Sequence, residues 1–355
     1  MSFFVDAKFR QSAHDVCLFY RKEQDGNYSL VSVAVDDMAL TGTASHLDRL
    51  VEQCEQVWEV KVDRNPTWFL KMNITRDRKA RTITLRHERY IINMLDKYNM
   101  KECKPADTPA TVESLDPEAP EIKTNPFREL VGSLLYCAVT VRKDILCAVN
   151  RVSRFNSRPT GQAWTAAKRV LRYLKGTANQ GLVLGAINNR ELYLDELVGW
   201  ADADYAGDVK TRRSTTGGVL QIMGSTIYCR SALQKSVATS TMEAEYMSLC
   251  DLTKEVVWTL NILADMGVRW RNGTQPVPIR EDNQACIATL TNPGANHTRS
   301  KHIDIKYHFT REHLVNGLIR VEYCPTEDMV ADICTKPLNS IKHEKCKRLL
   351  SIFAN

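Results

Sequence analysis

The sequence lacks the features that mark a secreted, membrane-spanning or zinc-finger protein. Its 11 cysteines stand singly between Cys17 and Cys346 without a C-x-x-C pair, which argues against a disulfide framework and a zinc motif. Its longest apolar run, residues 130–141, is too short to span a bilayer, and no signal-peptide pattern opens the chain. We therefore expect an intracellular protein of the cytoplasm or nucleus, neither secreted nor membrane-bound.

The composition is that of a soluble globular protein with room for two or three domains. The chain has 355 residues, of which 43% are hydrophobic and 25% are charged. Its net charge of +6 suits a polyanionic partner without requiring one.

The first candidate site lies in residues 198–208, V-G-W-A-D-A-D-Y-A-G-D. In a strand, Asp202 and Asp204 point to the same side because side chains alternate. Two carboxylates at a strand end serve either to hold a hard cation or to end the strand in a polar turn.

A second acidic pair lies upstream in S-L-V-S-V-A-V-D-D-M-A-L-T-G. The alternating valines before the pair and the apolar residues after it predict a hairpin with Asp36 and Asp37 at its tip. Aspartate favours a turn for its own sake, but such a pair is also typical of a polymerase palm, where the carboxylates bind magnesium. Both interpretations stay open.

Three further acidic residues lie in sequence contexts that do not favour simple exposure to solvent. A capping box, Ser240 to Glu243, opens a long helix on which Glu245 lies on the apolar, inward face. Asp282 joins a strand to a helix, as either a ligand or a helix N-cap. Asp332 falls inside a predicted helix, where aspartate has low propensity.

Four acids from four separate elements suit two magnesium ions, with manganese as an alternative: Asp202, Glu245, Asp282 and Asp332. Magnesium binds few carboxylates together with waters and phosphate oxygens. Two ions about 4 Å apart can activate a water and stabilise the leaving oxygen of an in-line displacement. The sequence therefore predicts phosphodiester hydrolysis with no small-molecule cofactor.

The helix predicted at residues 162–175 carries a basic stripe formed by Lys168, Arg169, Arg172 and Lys175. Such a stripe is either a solvated face or a track for the phosphates of a duplex, a contact that salt would weaken. Further along the chain, strands predicted at 192–194, 198–202, 217–223 and 225–228 precede interleaved helices and strands. This order predicts a mixed α/β domain.

The ordered motifs of the chain resemble those of Ty1/copia-type retrotransposon polyproteins along essentially its whole length. The reverse transcriptase of that family is similar to A-V-D-D-M-A-L-T-G, P-F-R-E-L-V-G-S-L-L-Y and A-A-K-R-V-L-R-Y-L-K-G-T. Its ribonuclease H is similar to A-D-A-D-Y-A-G-D, R-R-S-T-T-G-G, S-T-M-E-A-E-Y-M-S-L, E-D-N-Q-A, S-K-H-I-D-I-K-Y-H-F and P-T-E-D-M-V-A-D-I-C-T-K-P-L.

The resemblance implies an α/β (α+β) fold: an RNase H-like mixed sheet with flanking helices, preceded by a truncated reverse transcriptase palm and thumb and a helical connection. The implied domains are a palm with the start of the thumb (1–103), a Pro-rich linker (104–126), a helical thumb or connection (127–190), an RNase H-like domain (191–340) and a C-terminal tail (341–355).

The resemblance also implies the role of each acid. It assigns the ribonuclease H site to Asp202, Glu245, Asp282 and Asp332, and the palm pair to Asp36 and Asp37. It places Arg212, Arg213 and Ser214 against the backbone of an RNA–DNA hybrid.

The chain departs from the family in its polymerase part. The third palm aspartate and the fingers region are missing, Ala34 replaces an aromatic residue and Lys71 replaces a glycine. We therefore expect cleavage of RNA in RNA–DNA hybrids rather than polymerisation by this chain alone. The alternative is a decayed copy that only binds nucleic acid, and the sequence fixes no oligomeric state.

Overall fold

The computed structural model describes residues 2–123, 126–185, 197–267, 275–291 and 301–354, without the side chains of residue 2 and of residues 301–307. The chain forms two compact units, Met1–Pro66 with Lys254–Gly273, and Thr67–Thr253 with Thr274–Asn355. The strand predicted at 192–194 and the domain boundary predicted at residue 190 lie outside the described residues. No helix in the described ranges has the length and apolarity needed to cross a membrane.

The first unit packs helices against a four-stranded antiparallel sheet of order β1-β2-β3-β4. Its elements are α1 (Ser2–Asp6), β1 (Arg10–Gln11), β2 (Leu18–Lys22), β3 (Tyr28–Ala34), β4 (Asp37–Thr41) and α2 (Ala44–Glu55). Its core consists of buried apolar residues that alternate along the strands and recur along the helices: Phe4, Phe9, Phe19, Val31, Leu50 and Cys54.

The predicted hairpin is present as β3 and β4. Ala34 pairs with Asp37, so Val35 and Asp36 form a two-residue turn. Val35 has a φ of +58° and is 94% exposed, and Asp36 and Asp37 are exposed as well. The acidic pair therefore lies at the solvent-exposed tip of the hairpin.

The second unit begins with an antiparallel sheet and a group of helices. Their bounds are β5 (Trp68–Phe69), β6 (Met72–Asp77), β7 (Thr82–Arg86), α3 (Glu88–Lys97), α4 (Phe127–Thr140), α5 (Leu146–Ser153), α6 (Gly161–Gly176) and β8 (Gly181–Gly185). The helices bury one continuous apolar cluster that includes Ile91, Leu134, Val149 and Leu171. The burial of these apolar side chains against one another stabilises the arrangement of the helices.

A mixed five-stranded sheet makes up the rest of the second unit. The elements are β9 (Leu197–Asp204), β10 (Thr215–Ile222), β11 (Ser225–Leu233), α7 (Thr241–Asp265), β12 (Val277–Glu281), α8 (Gln284–Thr291), α9 (Lys301–Val315), β13 (Ile319–Tyr323), α10 (Asp332–Thr335), α11 (Ser340–Leu349) and β14 (Ile352–Phe353). The residues of α7 from Lys254 onward belong to the first unit. The strand order is β11-β10-β9-β12-β13, antiparallel at β11-β10-β9 and parallel at β9-β12-β13. This confirms the predicted mixed sheet with flanking helices.

The C-terminal part differs from the sequence expectations in two places. Residues 341–355, expected as a tail, contain most of α11 and also β14, which pairs with β8 because Leu350 and Ile352 bury their side chains beside that strand. Asp332 begins α10 rather than lying inside a longer helix, because the extended backbone of Met329 interrupts the helical segment that starts at Thr326.

Candidate active site

Asp202 lies near the end of β9, the central strand of the mixed sheet. It stands opposite Gly217 of β10, and β12 runs parallel to β9 on the other side. This position leaves Asp202 only 2% exposed, whereas Asp204 at the strand end is half-buried. Contact with water therefore does not stabilise the Asp202 carboxylate.

Gly217 allows α10 to lie directly on this part of the sheet. A Cβ atom at Gly217 would lie 2.4 Å from Thr335 Cγ2 and 3.0 Å from the carbonyl oxygen of Ala331, so any side chain would force α10 away. With glycine there, the Thr335 hydroxyl donates a hydrogen bond to Asp202 Oδ2.

The capping box at the start of α7 sets the orientation of Glu245. Ser240 Oγ accepts a hydrogen bond from the N–H of Glu243 at 3.2 Å, and Glu243 Oε2 accepts one from the N–H of Thr239 at 2.6 Å. The helix therefore begins at a defined residue, and Glu245 lies on its buried face, 6% exposed.

Ser248, on the same face one turn further along α7, fastens the helix to the sheet. Its Oγ lies 2.6 Å from the carbonyl oxygen of Asp202 and 2.8 Å from that of Gly217. This contact holds the turn that carries Glu245 against the strand that carries Asp202. Sequence reasoning missed Ser248, because a serine inside a helix has no local pattern that indicates such a contact.

Asp282 follows β12 and is the third member of the group. Asn283 caps α8, since its Oδ1 accepts the N–H of Cys286 at 2.9 Å. Asp282 is thereby left for other contacts, and its Oδ2 accepts a hydrogen bond from the Thr326 hydroxyl at 2.7 Å. The N-cap of α8 is therefore the neighbouring Asn283 and not Asp282, which the sequence allowed as an alternative.

The three carboxylates of Asp202, Glu245 and Asp282 meet in one place. One oxygen atom of each lies within 4.8 Å of the others, with Asp202 and Glu245 buried and Asp282 half-buried. A strand, a helix and a strand–helix junction supply them, so residues far apart in the sequence form one acidic group.

Burial and mutual repulsion shift the ionisation of this group. Burial raises the pKa of Asp202 to about 7, although Lys336 lowers it and Asp332 raises it further. Burial also raises the pKa of Glu245 to about 11, and Asp202 adds to that shift. The cause in both cases is a carboxylate removed from water with too little positive charge to compensate.

Glu281 is a fourth buried acid beside the group, and the sequence analysis did not single it out. It is fully buried, and its Oε1 accepts the N–H of Asn283 at 3.1 Å. Burial raises its pKa well above the usual range. In E-D-N-Q-A, a glutamate directly before a selected aspartate was the signal that could have found it.

Asp332, the fourth predicted acid, is not among the three carboxylates that meet. It is fully buried beneath two lysines: Lys336 Nζ lies 2.5 Å from its Oδ1, and Lys342 Nζ contacts its Oδ2. Lys336 Nζ also lies 3.9 Å from Asp202 Oδ2, between the two aspartates.

The residues of the acidic group fit a divalent cation. Glu245 Oε2 is buried and has no hydrogen-bond partner among the described residues, a costly state that a bound cation would relieve. The donors are all carboxylate oxygens, which magnesium and manganese prefer over the nitrogen and sulfur ligands typical of zinc.

The predicted basic stripe on α6 contacts its own chain. Arg172 Nε donates to the carbonyl oxygen of Lys104 at 2.7 Å, Lys175 Nζ donates to that of Cys103 at 2.8 Å, and Arg169 Nη2 donates to Thr108 Oγ1 at 3.0 Å. These bonds attach the segment predicted as a linker to α6.

Lys168, the remaining member of the stripe, is half-buried, with its Nζ 5.7 Å from the centroid of the Trp164 ring. Like the rest of the stripe it lies partly within the chain rather than fully in solvent, and nucleic-acid binding by these four residues stays a prediction.

The loop after β9 holds the other basic residues predicted to contact a hybrid. Arg212 is exposed and Arg213 is half-buried. Ser214 is fully buried, and its Oγ accepts the N–H of Ala206 at 3.0 Å, so it closes the loop rather than facing solvent.

No family model matches the chain. Similar curated proteins include the retrovirus-related Pol polyprotein from transposon TNT 1-94 of Nicotiana tabacum, 33% identical over 100% of this chain and 27% of that protein. The retrovirus-related Pol polyprotein from transposon RE1 of Arabidopsis thaliana is 36% identical over 93% of this chain and 22% of that protein. The chain thus spans about a quarter of the length of these relatives.

Solved structures are more distant. The foamy viral protease-reverse transcriptase in complex with RNA/DNA hybrid is 14% identical, with a TM-score of 0.45 over 83% of this chain and 36% of that one. A likeness at this level transfers no residue's role to the chain.

Proposed function

Because the chain belongs to the Pol polyprotein family of Ty1/copia-type retrotransposons, we propose that it cleaves the RNA strand of RNA–DNA hybrids in a magnesium-dependent reaction. The observation that carries the proposal is the meeting of Asp202, Glu245 and Asp282 within 4.8 Å. Three buried or half-buried carboxylates repel one another, so a fold that keeps them together without a cation sacrifices stability.

Asp202, Glu245 and Asp282 would hold the metal ion, and manganese would substitute for magnesium. When bound, the metal supplies an activated water and stabilises negative charge on the oxygens of the scissile phosphate. Asp282, the least buried of the three, places the group at the surface, where a phosphodiester backbone can reach it.

The protein's own residues keep this group in position. Thr335 orients the Asp202 carboxylate, Thr326 orients that of Asp282, and Ser248 fastens α7 to β9. The burial of Glu245 limits the water that would otherwise screen its interaction with a cation.

Substitution of Asp202 by asparagine tests the proposal. Asp202→Asn keeps the size of the side chain but removes its charge, and we expect cleavage of a labelled RNA–DNA hybrid in magnesium to fall by about 10³-fold or more. Asp77→Asn is the matched control, since Asp77 is an exposed residue at the end of β6 whose carboxylate accepts hydrogen bonds from the backbone N–H groups of Lys79 and Ala80. Equal cleavage by both variants and the unsubstituted protein would refute the assignment.

Binding without cleavage is the second candidate function. It is favoured by the two lysines that hold Asp332, since they leave three rather than four carboxylates for metal ions. In that case a filter that binds protein would retain a labelled hybrid together with the chain, and the affinity would fall steeply as the salt concentration rises. The chain would show no magnesium-dependent cleavage.

Polymerisation by this chain alone is not part of the proposal. Asp36 and Asp37 are exposed at their hairpin tip and belong to the first unit. Extension of a labelled primer by the chain alone would overturn this view.

A further inference from the structure

The side chain of Lys336 occupies a cation position inside the acidic site. Its ammonium group lies 2.5 Å from Asp332 Oδ1 and 3.9 Å from Asp202 Oδ2, and so contacts two buried carboxylates that belong to different elements. The side chain of Lys336 is 36% exposed, so a path to solvent is open to it. A second divalent ion that joined Asp202 to Asp332 would need the same place.

Lys342 completes the neutralisation of Asp332. Its Nζ contacts Asp332 Oδ2 and donates to the carbonyl oxygen of Thr326 at 2.8 Å, so it is held from two sides. Each oxygen of the Asp332 carboxylate thus faces one ammonium group. Asp332 Oδ1 has only this ion pair and no hydrogen bond, whereas Glu245 Oε2 and Glu281 Oε2 have no hydrogen-bond partner in the described part of the chain.

We propose that Lys336 and Lys342 withhold Asp332 from metal ions. The resting protein then binds one divalent ion, at Asp202, Glu245 and Asp282, and a second ion binds only when Lys336 moves away. Lys336 acts as a positioning residue that sets the number of ions. This inference rests on the proposed function, because it concerns the same metal site.

The number of manganese ions bound per chain, measured by calorimetry and by the electron paramagnetic resonance of free Mn²⁺, tests the inference without any substrate. We expect one ion in the unsubstituted full chain and two in Lys336→Gln, because the neutral side chain removes the positive charge that faces Asp202 Oδ2 and Asp332 Oδ1. It leaves Lys342 at Asp332 Oδ2. The second ion should bind at least about tenfold more tightly than any second ion in the unsubstituted protein, since a positive charge next to its ligands is gone.

Two further variants separate charge from packing. Lys336→Arg keeps the positive charge and should still bind one ion. Lys345→Ala removes a lysine of α11, the helix that also carries Lys342, from an exposed pair with Asp328, so it should also bind one ion. If Lys336→Gln does not fold, as judged by its thermal unfolding, Lys336→Met supplies a neutral side chain of nearly the same length.

The possible results distinguish this inference from the proposed function. Two ions in the unsubstituted protein, or one ion in the neutral Lys336 variants with unchanged affinity, would overturn the role of Lys336. Binding of one ion that depends on Asp202 but without hybrid cleavage would refute the nuclease proposal and leave the role of Lys336 intact. Manganese binding that Asp202→Asn does not weaken would refute both.

Discussion

Asp144 and Glu245 are both buried carboxylates of the second unit, and the protein holds them in opposite ways. Asp144 accepts hydrogen bonds from Arg142 Nε at 2.9 Å, from Arg142 Nη2 at 2.7 Å and from the Tyr173 hydroxyl at 2.6 Å. Burial alone would raise the pKa of Asp144, but the charge and hydrogen bonds of Arg142 lower it to about 2. Glu245 has no such partner, and burial raises its pKa to about 11.

The difference separates a carboxylate that serves the fold from one that serves a site. Arg142 also donates to the carbonyl oxygen and hydroxyl of Thr177, so the charge pair connects the start of α5 to the end of α6 and needs nothing from outside. At Asp202 and Glu245 the negative charge is incompletely balanced within the chain. A buried charge without a counter-charge is unfavourable, so these carboxylates take up protons until a cation from solution balances their charge.

The largest effect on stability is expected from breaking the buried pair of Arg142 and Asp144. Asp144→Ala leaves the Arg142 guanidinium buried without its carboxylate, and we expect the free energy of unfolding to fall by about 3–5 kcal/mol in urea denaturation. Asp328→Ala is the control, because its pair with Lys345 is exposed and should contribute less than about 1 kcal/mol. A similar loss of unfolding free energy in both variants would show that Asp144 does not stabilise the fold more than an exposed ion pair does.

The pH dependence of stability should differ in sign between the two regions. The pKa of Asp202 rises from 3.8 in the unfolded chain to about 7, and that of Glu245 from 4.5 to about 11. The folded protein therefore binds more protons than the unfolded chain above pH 4, and metal-free stability falls as pH rises. Asp144 acts oppositely: its lowered pKa contributes stability above pH 3.8 that is lost as pH falls towards about 2.

Urea denaturation in a chelator between pH 4 and 8 measures this slope. We expect the unsubstituted protein to lose at least about 2 kcal/mol between pH 4 and 7 relative to the double variant Asp202→Asn, Glu245→Gln, whose side chains do not titrate. Parallel curves for the two proteins would show that these carboxylates ionise normally in the fold.

One side of this contrast, the acidic group around Glu245, was accessible from the sequence because it depends on local periodicity; the pairing of Asp144 with Arg142 was not predicted. Strand alternation placed Asp202 at a strand end, and helical periodicity placed Glu245 on the apolar face of α7. The mixed α/β order and the β3–β4 hairpin followed from the same kind of pattern, whereas the mixed sheet was implied by the resemblance to the retrotransposon family. Each of the inferences from these patterns uses residues close together in the chain.

The lysines over Asp332 were not accessible in that way. Lys336 and Lys342 stand among polar residues near the C-terminus, where a lysine ordinarily lies in solvent. Their role depends on how α10 packs on β9 and α11 packs on α10, which no local pattern specifies. The same is true of the basic stripe of α6. Its sequence pattern predicted that the basic residues share a helix face, but not that residues from Cys103 to Thr108 accept their hydrogen bonds.

The smallest effect is expected at Glu245 itself, and it has the opposite sign to that at Asp144. Glu245→Gln replaces the carboxyl group with a neutral amide of the same shape. Burial opposes the ionisation of the carboxyl group, and the amide does not ionise. In a chelator at pH 8 we expect the free energy of unfolding to rise by about 1 kcal/mol, measured by urea denaturation. At pH 4 the gain should vanish, because both the folded protein and much of the unfolded chain then carry the proton on Glu245.

Manganese should reverse that gain. An ion that binds only the folded state stabilises the unsubstituted protein, by about 2.7 kcal/mol at a concentration of 100 times its Kd, whereas Glu245→Gln has lost a ligand. The variant should therefore be the more stable protein in chelator and the less stable one in manganese. A variant that is less stable under both conditions would mean that Glu245 supports the fold as Asp144 does, and the distinction between the two regions would fail.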